Sequence, residues 1–200
     1  MGLGLNWIDL AILLLAIFSL VIGFVQGMLR QVIGLAALYI ATILGAQYHS
    51  MVGGWIRALT FQTHPSRIVN AVAFLIIVVG ISFLLSWLAN DAYHSTKDRG
   101  VRRTKDTESV PTALKIFVLL DPIGGSIMAL ATMIIATSLV LSILLFSVGE
   151  PWPENESLRF TLSGGLNSSL LVPIFESFKD TLLKAIIPWL PAGLPSIFNL

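Results

Sequence analysis

From Ile123 to Val148 the chain runs 26 residues without a charged side chain, and that run decides the solvent in which it folds. A membrane-spanning helix needs ~20 apolar residues, within a range of ~17–25. This stretch exceeds that and can cross a bilayer at a tilt. Ile68–Ala89 adds 22 uncharged residues, interrupted mainly by Asn70 and Ser82. Its 14 Ile, Leu, Val and Phe residues, at roughly −0.45 kcal/mol each, favour insertion by about −6 kcal/mol. Leu10–Val25 and Gln31–Gln47 are also uncharged but near the short limit, and only Gln26-Gly27-Met28-Leu29-Arg30 separates them. They read as two short spans or a hairpin that dips in and returns, paired as antiparallel neighbours in either case.

Composition agrees. Charged residues make up 12% of the chain, hydrophobic ones 56%, and mean hydropathy is +0.87. Soluble domains carry ~25% charged residues, so a water-soluble globule is excluded. The expected fold class is all-α: an integral membrane bundle of about four transmembrane helices with a C-terminal amphipathic helix. A net charge of +1 gives no general attraction to nucleic acid. The absence of cysteine excludes disulfides, thiolate metal sites and cysteine nucleophiles. No Lys or Arg precedes Arg30, so the basic start of a cleavable signal is missing and the first apolar run is expected to remain.

Two regions follow: a bundle over 1–148, with a basic connection at 91–115, and a tail over 149–200. Arg30, Lys97, Arg99, Arg102, Arg103, Lys105 and Lys115 occupy the first and third connections; five basic residues are spread over the rest. Basic residues favour the cytoplasmic side, so loop 91–115 is expected inside and both termini outside. That loop reads mainly as a solvated connection, with lipid headgroups or a partner as the sharper alternative. In the tail, helical spacing from about 173 to 187 sets Phe175, Phe178, Leu182, Leu183, Ile186 and Ile187 against Glu176, Lys179, Asp180 and Lys184. This stripe suits a helix lying in the membrane interface or packing on the bundle.

No residue pattern points to catalysis. His49, His64 and His94 fall in what read as polar connections, without metal-ligand spacing. The paired glycines lack the context of a phosphate cradle, and no charge sits mid-span, where proton relays keep theirs. No cofactor or metal is expected. The end-of-span charges Asp9, Arg30 and Asp121 are the candidates for function. Asp9 follows Asn6 as in a capping box. Asp121-Pro122 reads as a cap followed by the first helical position, which would make Thr112–Leu120 a separate short helix. Alternatively, the two carboxylates mark the mouths of a polar path, with Arg30 at the turn. Gly23 and Gly27, then Ala37, Ala41 and Gly45, then Gly125 and Ala129 lie at four-residue spacing. Such faces let helices approach closely in lipid, within one chain or between copies.

Several of these motifs, in their order, resemble the colicin V production proteins, a family of bacterial inner-membrane proteins. They are Asn6-Trp7-Ile8-Asp9 before an apolar run; Gly23-x-x-x-Gly27-x-x-Arg30 and an Ala/Gly-rich second helix; Asp121-Pro122-Ile123-Gly124-Gly125; and Ser169-x-x-x-Pro173 in a proline-rich tail. The likeness runs through most of residues 6–195. Pro122 replaces the family's basic residue, Ala129 a glycine, and Thr132-Met133 a basic-Gly pair, which marks a divergent member. The resemblance implies a four-helix inner-membrane protein linked to production or export of a peptide toxin, with no catalytic residue or cofactor. The expected function is therefore non-enzymatic: self-association through Gly/Ala faces to pass a solute or peptide. The alternative is a membrane scaffold that holds a protein partner by its tail or basic loop.

Overall fold

The computed structural model describes residues 5–59, 66–103, 112–149 and 156–190. Among them the secondary structure is helical: α1 (Trp7–Gln26), α2 (Met28–Leu59), α3 (Ser66–Arg103), α4 (Thr112–Gly149), α5 (Glu156–Ser168) and α6 (Val172–Ile186), with a 3-10 turn at Ile187–Trp189. Four helices are long and apolar enough to cross a membrane, at Trp7–Gln26, Met28–Leu59, Ile68–Ala89 and Leu120–Gly149. All four spans are therefore full helices, and the second is much longer than the uncharged run alone suggested.

Between α1 and α2 the connection shrinks to one residue, Gly27, at φ +80°. Only glycine enters that region without penalty. The two helices do not pair along their length as expected. α1 packs chiefly on α4, and α2 packs on α3 and α4, so the first two helices splay apart from Gly27. The reason is side-chain size: α1 offers Gly23 to α4, whereas α2 turns Ala37, Ala41 and Gly45 inward. Gly45 lies under Phe74 and Val78 of α3, and Ala41, Ala71 and Phe74 are fully buried there. Both small-residue faces are thus consumed within the chain, which removes them as surfaces between copies.

Pro122 does not start a helix. α4 continues from Thr112 through it to Gly149, because its missing N–H costs one helical bond inside an otherwise apolar, helix-supporting segment. At 38 residues α3 also outruns its span. About 57 Å of helix exceeds the ~30 Å hydrocarbon layer, so the polar stretch 91–103 is a helical extension rather than loop. Residues 104–111 and 150–155 lie outside the described set, as does His64. His49 sits inside α2 rather than in a connection, buried, with its Nδ1 2.9 Å from the Ala46 carbonyl.

The tail resolves into two helices. α5 had no clear hydropathy signal, since it carries Arg159, Ser163, Gly164, Gly165 and Asn167. α6 begins one residue before Pro173. It packs on the bundle through Val172, Phe175, Leu183 and Ile186, all buried, and leaves Ile174 and Phe178 exposed.

Candidate functional site at the two ends of the first helix

Asp9 is completely buried, and four donors surround it. The Asn6 amide donates to Oδ2 at 3.0 Å, closing the capping box predicted for α1. The Ser169 hydroxyl donates to Oδ1, and the Leu170 and Leu171 amides donate at 3.3 and 3.0 Å. Ser169 Oγ in turn accepts from the Val172 amide at 3.1 Å, which satisfies the first amide of α6. One carboxylate therefore sits at the positive ends of two helices. Hydrogen bonds to a charged group are worth about 1.5–3 kcal/mol each, and they replace the water that burial removed.

Asn6 extends the junction to α5. Its side-chain amide donates to the Gly165 carbonyl at 2.6 Å and to Ser168 Oγ at 2.9 Å. Gly165 has no room for a side chain, because a Cβ would lie 2.8 Å from Trp7 Nε1. At its other end α5 is held by Arg159, whose Nε donates to the Val148 carbonyl at 2.9 Å. A cation closing the last turn of α4 is favourable for the helix dipole. α6 carries further ties. Ser138 donates to the Phe175 carbonyl at 2.9 Å, Tyr39 to Ala185 at 2.8 Å and Gln47 to Trp189 at 3.1 Å. Tyr39 and Gln47 lie 12 and 20 residues beyond Gly27, or roughly 18 and 30 Å along α2. The α5–α6 pair thus forms a fixed collar over the half of the bundle nearer Asp9.

Asp121 works at the other end of α1. Its Oδ1 accepts the Met28 amide at 2.9 Å, so a side chain of α4 caps α2, which has no capping residue of its own. Contrary to expectation, Asp121 does not cap a helix beginning at Pro122; it caps α2 instead. Beside it, a Cβ on Gly27 would lie 2.1 Å from Asp121 Oδ2, and one on Gly125 would lie 2.3 Å from the Gly23 carbonyl. Ala129 meets Gly23, and Ser19 donates to the Ala129 carbonyl at 2.7 Å. The partner positions fall along α4 as they rise along α1, so the helices run antiparallel.

Asp9 and Asp121 are not brought together. From Asp9 to Gly27 is 18 residues, roughly 27 Å of helix. Asp9 is closed off by amides and cannot stand at a water-filled mouth. Arg30 lies exposed in the first turn of α2, at the end that Asp121 caps and roughly 30 Å of helix from Asp9. The ties that sequence reasoning missed are Asn6 to α5 and the Tyr39, Gln47 and Ser138 contacts to α6. A signal existed only for Ser169, which stands in Ser169-x-x-x-Pro173 just ahead of α6.

Among known families, the model described as "Colicin V production protein" matches residues 8–104. The match covers α1, α2 and α3; the stretches around Asp121 and Ser169, part of the resemblance noted above, lie outside it. No curated protein and no solved structure matches the chain.

Proposed function

On the premise that the chain belongs to the colicin V production protein family over residues 8–104, we propose that this multi-pass membrane protein is a non-enzymatic scaffold of the bacterial inner membrane. It serves production or export of a peptide toxin by holding a partner protein or the peptide itself. The observation that carries this reading is the clamped collar. α5 and α6 are bound to the bundle at both ends, and Ile174 of α6, Leu170 in the link between them and Trp189 in the following turn are all more than half exposed. A binding face on rigid elements loses little freedom when it engages a partner. The basic stretch 91–115 offers a second holding point on the opposite side, and no cofactor is required.

A second reading is an assembly of several copies that passes a solute or peptide. The exposed outer face of α1, with Leu10, Phe18 and Val25 between 58 and 79% exposed, supports it as a surface between subunits. The mass of the purified chain in lipid nanodiscs separates the two. A monomer or dimer, together with loss of toxin release in Ile174→Glu at unchanged protein level, fits the scaffold. A closed ring of several copies fits passage and overturns the scaffold. For orientation, single cysteines at Ser95 and Ser168 are expected to label from opposite sides of the membrane, Ser168 from outside; labelling from one side refutes the four-span topology.

A further inference from the structure

Between α2 and α4, beneath α6, lies a cavity of about 620 Å³. We propose that it seats one acyl chain of a bilayer phospholipid, entering from the leaflet at the Asp121 end. Val32, Ala36 and Tyr39 form one wall, Ala131 and Ile135 the other, and Phe178 part of the roof. On α2 the lining runs from Val32 to Thr42, roughly 15 Å of helix. That equals one leaflet's share of a ~30 Å hydrocarbon core. α6 closes the groove toward Asp9, so a chain enters from the opposite leaflet and ends beneath the roof.

The chemistry of the walls selects the occupant. Among the described residues, no charged side chain lines the groove. Tyr39 donates its hydroxyl to the Ala185 carbonyl and Thr42 to that of Leu38, and Ser138 shares its single proton between the Ile134 and Phe175 carbonyls. With these three hydroxyls turned to backbone carbonyls and Thr181 as the remaining one, the walls complement an uncharged occupant. Water needs two to four polar partners to enter such a space, and an unfilled groove forfeits dispersion contacts along its whole wall. A helix of a second copy is the competing occupant, and it would leave crosslinks between copies where an acyl chain leaves lipid adducts.

The test uses the full chain in nanodiscs of phosphatidylethanolamine and phosphatidylglycerol doped with a phospholipid that carries a diazirine at one acyl terminus. After irradiation, peptide mass spectrometry maps the adducts. The expected result is enrichment on the α2 and α4 walls and Phe178 above the openly exposed face of α1. Ala36→Phe and Ala131→Phe, each filling the groove from a different helix, should abolish those adducts and leave the α1 adducts unchanged. Wall labelling no greater than that of α1, or labelling that survives both substitutions, overturns the proposal. So does a photoreactive residue placed at Leu35 that crosslinks to a second copy instead of to lipid.

Discussion

α4 meets its two neighbours from the amino half in opposite ways. Against α1 it lies so close that Gly23, Gly27 and Gly125 have no room for a methyl group. Against α2 it leaves an open groove walled by Val32, Ala36 and Ile135. One residue, Gly27, separates α1 from α2, so chain proximity does not explain the difference. In lipid, hydrophobic burial gives helices no reason to close up, and contact depends on how near the backbones can come. Glycine closes the first seam; the second, with no glycine among its described lining residues, stays open.

Substitutions that exchange these properties break the comparison, and the largest effect is expected at Gly125. Gly125→Val pushes a branched side chain into the backbone of α1. It should cost about 3 kcal/mol or more, read as loss of the folded form in denaturant titration of the purified protein. Asp9→Ala comes next. It strands the Asn6, Leu170 and Leu171 amides, and about 2–4 kcal/mol of stability should go with them. Hydrogen exchange should then rise over residues 156–190 while α2 and α3 keep their protection; uniform exchange would mean that the collar does not depend on Asp9. Gly27→Ala should cost about 1–2 kcal/mol through its positive φ and the Asp121 clash. Asp121→Ala in the same chain relieves the clash but not the torsion, so the double variant should lose less than the sum of the two single changes. The smallest effect is expected in the groove, where Ala36→Leu should stay within ~0.5 kcal/mol. A large loss there would show that the two seams are alike.

The spans were legible because hydropathy over some twenty residues reports a solvent preference that tertiary context rarely reverses. The candidate carboxylates were legible too, but their partners were not. Asp9 pairs with Ser169, 160 residues away, and nothing local announces that meeting. Asp121-Pro122 shows the opposite failure. Its local grammar is that of a helix start, yet the helix runs through it and the aspartate caps α2. α5 escaped notice because its polar residues hide a helix held by Arg159 and Gly165 rather than by an apolar stripe.

The bond between Asp9 and Ser169 also has a timetable. A ribosome adding 5–20 residues per second reaches Ser169 roughly 10–30 s after Asp9. Throughout that interval the head of the first helix holds a carboxylate whose three donors from 169–171 have not yet been made. A nascent chain halted before the tail therefore carries, at the rim of its first span, an acidic group with the Asn6 amide alone of its four donors, a chemical mark that separates unfinished molecules from finished ones.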